Sequence, residues 1–250
     1  MDKFKKPFVF ALVLFPIGLV AGFFTALYQI DLYDEAALAE IVSEIGSVGA
    51  LMAISTVQSA LYAAVCGFFG YILAVKLSLW RPIRFEKVQI IKTIVIAVLM
   101  GVVFALDYWT FGKAIPELRE NFEVGLSVKA FIASVLYGGI IEEVMLRLFV
   151  LSLIAFLIWK LFFRKCERVP AGVLAASNMI AALAFASGHL PATLITFGEL
   201  TPLLIFRCFL LNGGFGFVFG WLYLKRGVHH AMLAHAVCHI VSKVIWILFV

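Results

Sequence analysis

The sequence predicts an all-α protein: a bundle of seven or eight membrane-spanning helices forming one integral-membrane domain over residues 1–250, with a motif-bearing core at about 128–245. Three observations carry that reading. Hydrophobic residues make up 64% of the chain and charged residues 14%, whereas a soluble domain is about one quarter charged and under half apolar. The apolar residues are gathered into stretches that meet the roughly 20 residues a bilayer crossing needs. The charges fall between those stretches, and basic connections alternate with acidic ones as the positive-inside rule produces. No Gly/Ser or Pro linker divides the chain.

The first span runs from about Pro7 to Tyr28. Its start is basic (Lys3, Lys5 and Lys6), but the apolar run is long and no small, polar cleavage region follows, so it reads as a retained anchor. An acidic connection, Asp31 to Glu44, leads to a second span at about Val48 to Leu77 and then to the basic loop WRPIRFEK. The third span covers about Ile91 to Phe111, and the mixed-charge segment Lys113 to Glu123 returns the chain to the fourth, Val128 to Phe163. As one helix the fourth would reach about 54 Å at about 1.5 Å per residue. It is therefore either a single tilted helix or two short ones breaking near its paired glutamates. The basic RKCER that follows favours the single crossing. The fifth span, Val173 to Thr196, should kink at Pro191 in GHLP. The sixth runs from Leu203 to Leu224, where GGFGFVFG suggests close helix packing, and the seventh from His229 to Phe249. Seven crossings with a cytoplasmic N-terminus satisfy most loop charges.

The net charge of +5 is spread over these loops and forms no basic face on a soluble module. That argues against nucleic acid as a partner. The four cysteines make no CxxC pair and three lie in apolar segments, so they read as packing residues.

Ionisable side chains at bilayer depth are costly and normally face the bundle interior, where they carry function. They are Glu142, Glu143, Arg147, His189, Arg207, His235 and His239. His229 and His230, beside Lys225 and Arg226, read as interfacial. Glu143 and Arg147 are four apart and share a helix face, so they can pair. Glu142 points about 100° away and has Leu146, not a cation, at its own i+4 position. It is the carboxylate left available for chemistry. His235 and His239 also share a face, able to ligate a divalent metal such as zinc or to hold a water and a developing oxyanion. His189 lies beside the kink. The roles of Arg207 and Asn212 on the sixth span stay open.

The patterns EEVMLR (as EExxxR), FASGH (as FxxxH) and HAVCH (as HxxxN-like), in that order on separate apolar segments, resemble the CPBP (Abi) family. That family includes type II CAAX prenyl endopeptidases and bacteriocin-immunity proteins. The resemblance covers about Ile132 to Val241. It implies an intramembrane peptidase with a polar cavity open to the cytoplasm, acting on membrane-associated peptides or proteins, prenylated CAAX substrates among them. It further implies that Glu142 and His189 activate a water, that His235 and residue 239 stabilise the oxyanion, and that Glu143 and Arg147 support the site. Family members are described both as metalloproteases and as metal-independent glutamate enzymes, and here a metal set would draw on His189, His235 and His239. Position 239 is His where the family usually has Asn. Three other readings remain: a non-catalytic immunity or scaffold protein, a proton-coupled transporter, which commonly shows an internal repeat not seen here, and a structural zinc-stabilised bundle.

Overall fold

The structure is a computed structural model that describes residues 4–123 and 127–250; Lys3 lies outside them. Among the described residues all regular structure is helical, with no strand. Seven helices are long and apolar enough to cross a membrane. In chain order these and the shorter helices are α1 (Lys5–Ile30), α2 (Glu35–Ile45), α3 (Val48–Lys76), α4 (Lys87–Ala105), α5 (Pro116–Glu123), α6 (Val128–Phe162), α7 (Ala171–Phe197), α8 (Pro202–Arg226) and α9 (Val228–Phe249). The protein is an integral, multi-pass membrane protein.

Local chemistry sets the helix starts. Asp34 caps α2 through the amide of Ala37, Ser47 caps α3 through Ala50, Ser127 caps α6 through Ala130 and Thr201 caps α8 through Leu204. Each supplies an acceptor for an N–H the helix itself cannot satisfy. Between α8 and α9 the chain reverses at Gly227, whose φ of +97° lies in the region that favours glycine.

The fourth span is one unbroken helix of 35 residues, so the hairpin alternative and an eighth crossing are both absent among the described residues. The third span stops at Ala105 instead of Phe111. Two residues on, Asp107 is buried and accepts from Nε of Arg207 at 2.9 and 3.1 Å, with a further short contact to Nη2. This ion pair ties the end of α4 to α8, which makes Arg207 a helix bridge. The connection after α4 carries α5, which sequence patterning does not predict. The fifth span breaks where Pro191 predicts, into Ala171–Gly188 and Leu190–Phe197. His230 departs from its interfacial reading. It is buried, and its Nδ1 lies 2.7 Å from Thr93 Oγ1 on α4.

Small residues face inward and large apolar ones outward. On α4, Thr93, Ala97, Met100 and Gly101 are buried, while Val95, Leu99 and Val102 are exposed. Lipid tails are as apolar as leucine, so helices in a membrane associate through close backbone approach instead of hydrophobic burial. A Cβ on Gly18 of α1 would sit 2.6 Å from Ala60 Cα of α3, and one on Gly139 of α6 would sit 2.8 Å from Ala236 Cβ of α9. The same small-residue logic seats Gly216 of α8 against Phe185 of α7. Helix α6 is central, packed against α1, α3, α7, α8 and α9.

Replacing Gly18 with leucine should force α1 and α3 apart, at a cost of about 1–3 kcal/mol or more. Thermal unfolding of the purified protein in detergent should show a clear drop. Gly172→Ala, at a position with nothing within 4 Å, should leave the midpoint unchanged or slightly raised.

Candidate active site

The site is built on the middle of α6. Over Ser134–Leu151 this helix is wound with π-type, i→i+5 hydrogen bonding, and α8 has a shorter such stretch at Phe209–Gly213. Wide turns of this kind are common at functional sites. Here they lie on two of the helices that line the polar centre.

The two adjacent glutamates face different surroundings. Glu143 is 0% exposed and Arg147 1%. Their Oε1 and Nη1 atoms lie 3.2 Å apart. The same Oε1 is 2.8 Å from Nδ1 of His235, which is also buried. An ionised carboxylate is an acceptor only, so Nδ1 of His235 carries the proton and the ring's Nε2 is left free. The guanidinium lies over the ring of Phe185 at 4.5 Å and that of Phe219 at 5.6 Å. These aromatic faces attract a desolvated cation. Phe219 also stacks on His235 with ring centroids 4.4 Å apart. Its neighbour Gly216 keeps the approach open: a Cβ there would be 3.1 Å from both Arg147 Nη2 and Phe185 Cδ1.

Glu142 is half-buried, with a side chain 17% exposed, and it faces His189, 33% exposed, across 3.9 Å from Oε1 to Nε2. His189 Nδ1 lies 2.9 Å from the Phe185 carbonyl oxygen, so Nδ1–H donates there and Nε2 carries a lone pair. Two acceptors facing each other cannot bond directly. At this spacing they suit a molecule with two O–H donors, placed slightly off the line between them.

His235 and His239 stack with centroids 4.8 Å apart. Both direct Nε2 toward Gly138, at 3.6 and 3.0 Å from where its Cβ would lie. Gly138 is one turn before Glu142 on α6, so its missing side chain leaves room between the histidine pair and the face bearing Glu142. Nδ1 of His239 is buried without a hydrogen-bond partner among the described residues. An N–H left there would be costlier than a lone pair, which places the ring proton on Nε2.

Of the residues singled out from the sequence, the structure joins Glu143, Arg147 and His235 directly. It faces Glu142 with His189, and it brings His235 and His239 to one space. Phe185 touches the rings of both His189 and His235, at centroid distances of 4.6 and 6.1 Å, and so stands between the two halves. The metal set His189, His235 and His239 does not converge: among the described residues no three His, Cys, Asp or Glu side chains could hold one ion in common. His189 points Nε2 at Glu142 and the other two point theirs at Gly138. Sequence reasoning missed Phe185 and Phe219 as supports for Arg147, although Phe185 opens the FASGH pattern. It also missed Lys243, buried on α9 one turn beyond His239, which the rule about ionisable groups at depth would have found.

Residues 125–241 match the family described as Type II CAAX prenyl endopeptidase Rce1-like. No curated protein and no solved structure matches the chain.

Breaking one side of a buried ion pair leaves an uncompensated charge, at a cost of about 3–5 kcal/mol. Arg147→Met alone should therefore unfold the protein at markedly lower temperature or denaturant. The double variant Glu143→Gln/Arg147→Met should recover much of that loss, because the amide oxygen still accepts from His235. Purely additive losses in a double-mutant cycle would contradict the pairing.

Proposed function

We propose, from the match of residues 125–241 to the Rce1-like family of type II CAAX prenyl endopeptidases, that the chain is an intramembrane endopeptidase in which Glu142 is the general base. The observation that carries this is the facing of Glu142 and His189, two partly exposed acceptors 3.9 Å apart. A water there donates one hydrogen to each. Glu142 takes the proton as the oxygen attacks the scissile carbonyl, while the neutral His189 holds the other O–H and aims the lone pair. Positioned base catalysis of this kind contributes about 10²–10⁴ in rate.

As the carbonyl oxygen becomes an oxyanion, it needs a donor already in place. His239, protonated on Nε2 and aimed at the space beside Gly138, supplies it. His235 acts differently from the oxyanion role the resemblance implies. Its Nδ1–H is committed to Glu143, so the neutral ring offers Nε2 as an acceptor. The buried carboxylate fixes that tautomer and the ring's orientation, the logic by which an acid orients a catalytic histidine. His235 can then relay a proton to the departing amine as the C–N bond breaks. The proton taken from water ends on the new amine and the hydroxyl on the new carboxyl group, so the reaction balances. All of these steps use side chains of the chain itself.

The substrate fitting this site is a membrane-associated peptide, a prenylated CAAX peptide in the first instance. Its lipid lies in the bilayer while its backbone reaches Glu142 and His189. The end of the bundle carrying Lys5, Lys6, Arg81, Arg84, Arg164, Lys165, Arg168, Lys225 and Arg226 faces the cytoplasm by the positive-inside rule.

Purified protein in lipid should cleave a prenylated CAAX peptide. Glu142→Gln should lower the rate about 10²–10⁴-fold with an unchanged unfolding midpoint. Gly138→Ala should also stay folded and lose cleavage, because its methyl occupies the oxyanion space. Equal rates for parent and Glu142→Gln would rule out this base.

A further inference from the structure

A polar cavity of about 340 Å³ opens at the basic end of the bundle, where the loop between α3 and α4 meets the turn between α8 and α9. Arg81, Arg84, Lys225 and Arg226 line it, with Glu86 as the one carboxylate, so four positive charges stand against one negative. Ion pairs among the described residues leave all four cations without a carboxylate partner. The cavity is distinct from the candidate active site. His230, in its wall, is five residues before His235 on α9, about 140° around the helix, so it faces α4 and not α6.

Its frame is ordered by buried and half-buried contacts. Thr93 Oγ1 donates to the Gln89 carbonyl at 2.9 Å and accepts from Arg226 at 3.0 Å, and His230 Nδ1 closes the network at 2.7 Å. Arg226 is thereby held at the cavity wall. The backbone of Gly227 brings the turn against Arg81: a Cβ there would be 3.1 Å from Arg81 Cβ. Helices α4 and α9 both begin beside the cavity, at Lys87 and Val228, and neither has a side-chain cap. Uncapped N–H groups and the positive ends of two helix dipoles add to the same field.

We propose that this cavity is a binding site for an anionic phosphate group, and that the headgroup of an acidic membrane phospholipid occupies it. A phosphate spreads its charge over several oxygens and takes several donors at once, as two arginines, a lysine and a held guanidinium present them. The cavity lies at the end of the spans, at headgroup depth, where basic pockets between helices take acidic lipids. This inference is independent of the proteolytic reading, since it uses none of the catalytic groups.

The test uses the full chain in nanodiscs of phosphatidylcholine doped with phosphatidylglycerol, with retained lipid counted by native mass spectrometry after extraction. The parent should retain phosphatidylglycerol in preference to phosphatidylcholine. Arg84→Gln/Lys225→Gln, which removes two exposed charges, should weaken that retention about thirtyfold. Lys165→Gln/Arg168→Gln, two cations at the same end but outside the cavity, should not. A parallel arm titrates inorganic phosphate into protein in pure phosphatidylcholine. Binding there that is lost in Arg84→Gln/Lys225→Gln, without lipid retention, would keep the phosphate site and make its source soluble. No retention and no phosphate binding, or equal losses in both double variants, would overturn the proposal.

Discussion

A carboxylate with no exposed surface, inside a helix that crosses a membrane, has to be compensated where it stands. Glu143 is compensated by Arg147 one turn away on α6 and by His235 on α9. Much of the rest of the structure follows from that requirement. The guanidinium, itself buried, lies between Phe185 of α7 and Phe219 of α8, which replace part of its hydration. Those rings reach it only because Gly216 presents no side chain, and α9 reaches the carboxylate only because Gly139 lets Ala236 approach. One ion pair therefore sets the spacing of four helices.

The same constraint divides the labour between adjacent glutamates. Glu143 has its charge answered and cannot easily give up its role, since losing it would strand Arg147 in the interior. Glu142, one residue earlier, has no cation and remains partly open beside His189. A base must exchange protons with water and substrate, and a residue locked into a buried pair could not. In the proposed reaction the pairing of Glu143 is what leaves Glu142 free to act, and the bond Glu143 makes to His235 determines which nitrogen that ring presents toward Gly138.

Several of these features are legible in the sequence and several are not, for physical reasons. Spacing of four on a helix is enough to align Glu143 with Arg147 and His235 with His239, because that geometry is local and survives even the wider winding of α6. Pro191 likewise marks the break beside His189. The bond between His235 and Glu143 joins residues 92 apart, and nothing local encodes it; it depends on which helices can approach. Arg207 could be flagged as an ionisable group at depth, but its partner Asp107 comes from past the end of α4, where apolar patterning extends the third span too far. His230 looked interfacial beside its basic neighbours, and only packing against Thr93 shows it to be buried. The failed convergence of three histidines is of the same kind, since side-chain direction is a tertiary property.

Helix α9 shows how the arrangement becomes suited to chemistry. It is held near its start by His230 to Thr93, at mid-length by His235 to Glu143, and near its end by Trp246, whose Nε1 donates to the Ala105 carbonyl at 3.0 Å. These anchors are spaced about 7.5 and about 16 Å along the axis. They prevent both rotation and sliding of the helix that carries His235 and His239. Electrostatic stabilisation of a transition state depends on donors that do not have to reorganise, and rigid elements supply them better than loops. Helix α7 is built in the opposite way: it is broken at His189, and that histidine is among the more exposed groups of the site. In the proposed reaction the half of the site that stabilises charge is therefore fixed, and the half that admits water and substrate sits at the break in α7.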